Sequence, residues 1–192
     1  MDIGSPKHHG YVGLEAEAAE LSNFEPQLIP GLLQTEAYTR ALAKVLPGAK
    51  EEDVERQVRV RMLRQERLRH EHPLKMWAIV DEAVLRRAWG GRAVMEEQLE
   101  HLLEASAWPN VVLQVLPFDI DGHPAIAGSF AVLSFPEATD LGVAYLDARG
   151  GLFLDEAADV AWYRELFDHL RARAAAPERT QTLIRKAAKE LT

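Results

Sequence analysis

Apolar residues recur along this chain in two periods, and the switch between them divides it into three zones. In residues 11–22, Leu14, Ala18 and Leu21 repeat at helical spacing. Residues 24–29 are a candidate extended segment, which Pro30-Gly31 breaks. Thr35 fits an N-cap with Glu36 in the first turn, and Tyr38, Leu42 and Val45 carry helical spacing to Pro47-Gly48. Residues 51–70 form the clearest helix. Its first turn is acidic and its remainder rich in Arg, which suits the helix dipole, and Val54, Val58, Met62 and Leu63 mark an apolar stripe.

Period two then takes over. Residues 74–80 read as a buried strand, and Asp81 can cap a short helix through Arg87 that Gly90-Gly91 stops. Residues 93–106 are an amphipathic helix with Met95, Leu99, Leu102 and Leu103 inward. Strands follow over 111–118, 129–135, 143–148 and 152–154, with 119–128 as a loop and Gly150-Gly151 as a hairpin signal. The last zone is helical again. Asp155 is expected to cap a helix to about Ala175, with Val160, Tyr163, Phe167 and Leu170 in register. Pro177 opens a final helix carrying Leu183, Ile184, Ala187 and Leu191. This order predicts an α+β fold: an antiparallel or mixed sheet of about four to five strands, with helices packed on it and a helical C-terminus. Residues 1–10 are expected to be a flexible lead-in, 11–176 one domain, and 177–192 a helix packed on that domain.

Composition narrows the chemistry. The 192 residues contain no cysteine, which excludes disulfides, thiolate metal sites and a Cys nucleophile. The N-terminus has no apolar secretory segment, and no apolar run approaches the roughly 18 residues of a membrane span. A cytoplasmic protein is expected. The net charge of −8 opposes a phosphate backbone unless positive charge is clustered. The one cluster is the Arg-rich helix, and residues 51–72 hold six Arg against six acids, so it is neutral. Internal pairs Glu52–Arg56 and Glu55–Arg59 are its plainer explanation. Direct nucleic-acid binding and a membrane role are therefore not expected.

Other candidate groups are scattered. His70 and His72 lack the one-turn spacing of a zinc helix, and HExxH is absent, so no metal is expected. GxSxG, GxxxxGK[ST] and GxGxxG are absent too, and no cofactor is expected. His123 stands in a loop between Gly122 and Pro124, after an apolar strand. Asp81 and Glu82 sit where a strand becomes a helix, and Asp147 follows Tyr145 in a strand. Glu15 and Glu17 read most simply as the wet face of their helix.

Three ordered stretches resemble a known family. The first is YVGLEAEA from Tyr11, then Phe24-Glu25-Pro26 and IPGLLQTEAY from Ile29. The second is RMLRQERL from Arg61, leading to IVDEAVLR from Ile79. The third is Gln98-Leu99, PNV from Pro109, QVLPF from Gln114, Gly122-His123-Pro124 and Gly128-Ser129-Phe130. Together, over about residues 11–184, they resemble the C-terminal effector domain of actinobacterial XRE-type, antitoxin-like helix-turn-helix regulators. The resemblance implies transcription regulation of development or secondary metabolism, by binding a small molecule or a small companion protein. Such regulators normally begin with a helix-turn-helix, whereas ten residues precede the matching stretch here, so DNA binding is not carried over. Asp147, followed by Arg149, also stands where relatives usually have Glu.

Two uses of the domain are weighed. The first is a ligand- or partner-binding effector domain, with Gln34, Arg61, Arg64, Gln114, Ser129 and Tyr145 as expected ligand contacts. The second is a free-standing, cofactor-independent cyclase or isomerase of natural-product biosynthesis, which needs only a shaped pocket and one or two acid–base groups. Its candidates are Glu15, Tyr38, Glu82, His123 and Asp147. Pairing of two copies through the Leu183/Ala187/Leu191 stripe is a third, weaker option.

Overall fold

The chain turns from helix to strand earlier than its apolar spacing suggests. The structure, a computed structural model, describes the backbone of residues 6–136, 142–147 and 151–191, and side chains from residue 10 onward. Helix α1 (Pro6–Glu17) ends well before Ser22, and strand β1 (Glu20–Glu25) begins three residues later. The backbone hydrogen bonds explain this. Ala18 still donates to Leu14 at 3.0 Å, whereas Ala19 donates to Ser134 at 2.9 Å and accepts from Lys75 at 3.0 Å. Leu21 continues the stripe of Leu14 and Ala18 only because strand and helix bury it against one core.

A 3-10 turn (Gly31–Leu33) leads to α2 (Glu36–Lys44) and α3 (Glu51–Gln65). Thr35 caps α2, accepting from the Tyr38 amide. Strand β2 (Lys75–Asp81), α4 (Glu82–Arg86), α5 (Arg92–Ala105) and β3 (Val111–Leu116) follow. Then come β4 (Phe130–Ser134), β5 (Val143–Leu146), β6 (Leu152–Leu154), α6 (Ala157–Arg173) and α7 (Pro177–Glu190). The fold is α+β, but the sheet has six strands among the described residues, in the order β3-β2-β1-β4-β5-β6. The added strand is β1, which lies near the centre of the sheet. It pairs parallel with β2 and antiparallel with β4. The β2–β3 pair is parallel, and β4–β5 and β5–β6 are antiparallel. The parallel part needs crossovers, supplied by α2–α3 and by α4–α5. Its strand β2 is buried on both faces, with Ala78, Ile79 and Val80 fully covered.

Each sheet face has its own core. Leu21, Met76, Ala131, Leu133 and Tyr145 pack toward α2, α5 and α7. Phe24, Ile79, Phe130, Val132 and Ala144 pack toward Val160, Phe167 and Leu170 of α6. The stripe on α7 is used within the chain. Ile184 and Ala187 are buried, with Leu183 and Leu191 packed beside them in the same core as α5. Thr180 completes this seam, its hydroxyl accepting from the Val115 amide at 3.0 Å.

Several local expectations are corrected. Asp155 does not cap α6, since Glu156 occupies that position and makes no side-chain cap bond. On α3, Val54 and Val58 are buried but Leu63 is 63% exposed, and the other buried residues are Arg61 and Arg64. The expected Glu52–Arg56 and Glu55–Arg59 pairs are replaced. Arg56 reaches Asp53 at 2.7 Å, and Glu55 pairs with Arg40, because α2 packs alongside α3 and brings Arg40 within reach. Asp81 does cap α4, accepting from Ala83 at 2.8 Å. The β5–β6 hairpin forms, although Ala148, Arg149 and Gly150 lie outside the described residues. Among the described residues, no helix is long and apolar enough to cross a membrane.

Candidate functional site

The sheet presents a row of side chains toward α1 and α3. Register sets Leu21 beside Met76 and Leu133, Asn23 beside Ala78 and Ala131, and Ala131 beside Tyr145. Period-two alternation therefore aims Leu21, Asn23 and Glu25 of β1 at one face. The neighbours across the sheet, Ala131 and Ala78, are small, and the helices above carry long polar residues. The result is a narrow cleft, partly open to solvent, between the sheet, α1, α3 and the 3-10 turn.

Its roof is a buried ion pair. Arg64 donates from Nε to Glu15 Oε1 at 2.7 Å and from Nη2 to Glu15 Oε2 at 2.8 Å. The side chains are 8% and 2% exposed. This two-pronged geometry is the strongest form of Arg–carboxylate contact. Burial works against the Arg64 charge, but Glu15 outweighs it and holds the guanidinium protonated. Glu15 is thus the reverse of a wet-face residue. The strand that replaces the end of the expected helix turns the Glu15 side of α1 onto α3.

Arg61, one turn earlier on α3, is also buried. Burial, and then the Arg64 charge beside it, lower it to about 10. It packs against Gly31, where an added Cβ would come within 2.9 Å of the Arg61 Cζ. Glycine here makes room for the guanidinium, as close backbone approach often requires.

The floor is acidic. Glu25, half-buried at the end of β1, is pushed up to about 8. Burial is the main cause and the nearby Asp147 carboxylate the second, opposed by an Asn23 amide at 3.5 Å and by Arg61. Burial raises Asp147 too. Tyr11 and Tyr145 close one side with ring centroids 4.5 Å apart. Burial raises both phenols, Tyr11 well above its ordinary value, so both are neutral hydrogen-bonding groups. The cavity thus holds fixed guanidinium charge, neutral phenols and a carboxyl that exchanges its proton near neutral pH. Such a set can bind and orient a small polar molecule or move a proton on it.

Six of the eleven residues singled out from the sequence line this cavity: Glu15, Arg61, Arg64, Ser129, Tyr145 and Asp147. The other five lie elsewhere and make structural contacts. Tyr38 is fully buried and its hydroxyl accepts from the Ile29 amide at 3.3 Å. Gln34 ties the 3-10 turn, donating to the Ile29 carbonyl at 2.7 Å and accepting from Thr39 at 3.1 Å. Glu82 accepts from Arg86 at 2.8 Å and from the Phe118 amide at 3.1 Å. Gln114 accepts from Trp77 at 2.7 Å and donates to the Ala175 carbonyl at 3.0 Å. His123 meets Phe24 edge-on at 5.5 Å, on the α6 face of the sheet. Tyr11, Asn23 and Glu25 line the cavity and were not singled out. For Asn23 and Glu25 the available signal was the polar alternation across Leu21, Asn23 and Glu25, hidden by reading a helix to Ser22.

Among the described residues, no three His, Asp or Glu side chains converge as metal ligands would. A family described as a domain of unknown function, DUF5753, matches residues 9–186. No curated protein and no solved structure matches.

Proposed function

The chain belongs to this DUF5753 domain family, and from that premise we propose that it is a ligand-binding effector domain whose ligand is a small polar molecule held in the Arg61/Arg64 cavity. One observation carries the reading: two buried guanidinium groups and three carboxylates converge on one cavity, fixed by a two-pronged ion pair and by Gly31. Charges are costly to bury and are kept where they are paired or used. The resemblance to XRE-type, antitoxin-like regulators supports a regulatory use, in the cytoplasm, with a small companion protein as a further partner. A thermal-shift screen of small charged metabolites against the purified chain tests the reading. Hits should raise the melting temperature and be lost in Arg61→Gln and Asp147→Asn. A screen without hits, or hits that survive both substitutions, would overturn it.

A second reading has its own support. A carboxyl that titrates near pH 8 is matched to general acid–base work at neutral pH. Glu25, beside Asp147 and Tyr145, would then serve a cofactor-independent cyclase or isomerase. Mass spectrometry of a bound ligand after prolonged incubation separates the two uses. Recovery of the unchanged ligand supports the effector reading, and an isomer that forms only with Glu25 intact supports the enzyme.

A further inference from the structure

The packing of this fold leaves a second, apolar gap. A cavity of about 140 Å³, open at one side, lies between α2, α3, the segment after β1 and the turn after α4. Its walls are mostly aliphatic, formed by Leu28, Leu42, Ala43, Val45 and Leu46, with Trp89 as an aromatic side. Val45 is 61% exposed, which marks the mouth. Two features hold the space open. Ala43 is buried, and its methyl group fills little of the gap. Gly90 fastens the turn that carries Trp89 to α2: its φ is +75°, and a Cβ there would come within 2.7 Å of the Ala41 Cβ. The walls are thus fixed by packing in the empty protein, and a guest need not order them.

The polar groups in the wall decide what the space takes. Gln34 and Thr39 are buried and already bonded. Gln34 Nε2 donates to the Ile29 carbonyl at 2.7 Å, and Thr39 donates to Gln34 Oε1 at 3.1 Å. A trapped water needs about two to four polar partners, which these engaged groups do not offer. An apolar cavity of roughly 150 Å³ stays dry and takes up a molecule the size of benzene, so this one has room for a single ring. Gln57, half-buried on α3, also lines the space, and its carboxamide makes no hydrogen bond among the described residues. Arg61 borders the cavity too, but its guanidinium packs against Gly31, in the lining of the cleft. Among the described residues, no carboxylate lines the cavity. A charged guest would lose its hydration here without gaining a counter-charge.

We propose that this cavity is a second ligand site, separate from the cleft, for an uncharged one-ring molecule bearing a single hydrogen-bonding oxygen. The ring sits among Leu42, Ala43, Leu46 and Trp89, and the oxygen meets the Gln57 carboxamide. None of the charges of the cleft is needed for this binding, so its failure would leave the reading of the cleft untouched.

Isothermal titration calorimetry of the full chain at pH 7 tests this, with phenol, toluene and benzoate as probes. Phenol and toluene should each bind at one site, and benzoate at least tenfold more weakly than phenol. Gln57→Leu should weaken phenol about three- to tenfold, the worth of one hydrogen bond, and should not weaken toluene. Ala43→Leu fills the space, so it should abolish binding of both and raise the melting temperature. Leu46→Phe fills it from the loop between α2 and α3, and serves in the same way should Ala43→Leu not fold. No binding of phenol, binding that survives a folded filling variant, benzoate as tight as phenol, or equal effects of Gln57→Leu on phenol and toluene would each overturn the assignment.

Discussion

Removing one partner of the Glu15–Arg64 pair should cost far more than removing both. The pair is 2.7 and 2.8 Å long on its two prongs, and its side chains are 2% and 8% exposed. Glu15→Leu leaves the Arg64 guanidinium buried without that partner, next to Arg61. Losing one member of a buried pair costs about 3–5 kcal/mol. The cavity is partly open to water, so the lower end, about 3 kcal/mol, is expected. Arg64→Met strands the Glu15 carboxylate, which is the more buried of the two, and should cost about as much. The double variant removes both charges and leaves apolar groups of similar length, so its cost should stay below about 1.5 kcal/mol. The implied coupling is then roughly 4 kcal/mol or more, well above the scatter of additive sites. Urea unfolding measures all four proteins, and melting temperatures should follow at about 2–4 °C per kcal/mol for a chain of this size. Single-variant costs below about 1 kcal/mol, or costs that simply add in the double variant, would refute the claim that this pair holds the roof of the cavity.

Other outcomes follow from the same geometry. Glu25 ionises near 4.5 in the unfolded chain and near 8 in the folded one, so the folded state binds the extra proton between these values. Its stabilising contribution is whole below about pH 4.5 and is lost as pH rises toward 8; Glu25→Gln should flatten that part of a stability–pH curve, and an unchanged slope would refute the assignment. Gly31→Ala should force Arg61 off the turn, because its Cβ would stand 2.9 Å from the guanidinium carbon. A loss of about 1–3 kcal/mol and loss of ligand-induced thermal stabilisation are expected, and a variant with wild-type melting temperature and binding would argue against the packing. Gln98, fully buried, donates to the Leu33 carbonyl and accepts from the Thr35 amide, each at 2.7 Å. Gln98→Leu should strand both backbone groups at about 1–3 kcal/mol each, measured by urea unfolding.

The candidate site was half legible, for identifiable reasons. Arg61 and Arg64 stood out by their motif, but spacing alone favoured a solvated helix, because six Arg and six acids balance along residues 51–72. What that count could not include was the partner from another element. Arg64 pairs with Glu15, 49 residues away, and Arg40 takes Glu55 from a neighbouring helix. Gln34, Gln114 and Glu82 carried the right chemistry for a site, yet each spends its polar atoms on backbone or on a neighbouring side chain.

The sequence by itself determined the class of the fold, the positions of most helices and strands, and two caps, at Thr35 and Asp81. These follow from local periodicity and local hydrogen bonding, which need only neighbours in the chain. Only the tertiary structure decided that residues 20–25 form a strand near the middle of the sheet, because their hydrogen bonds come from Lys75 onward and from β4. That one strand sets Asn23 and Glu25 on the cavity floor and turns Glu15 inward. Charge compensation acts through space between elements far apart in sequence, so where the charges are buried, and how they balance, emerges only once the sheet has closed against α1 and α3.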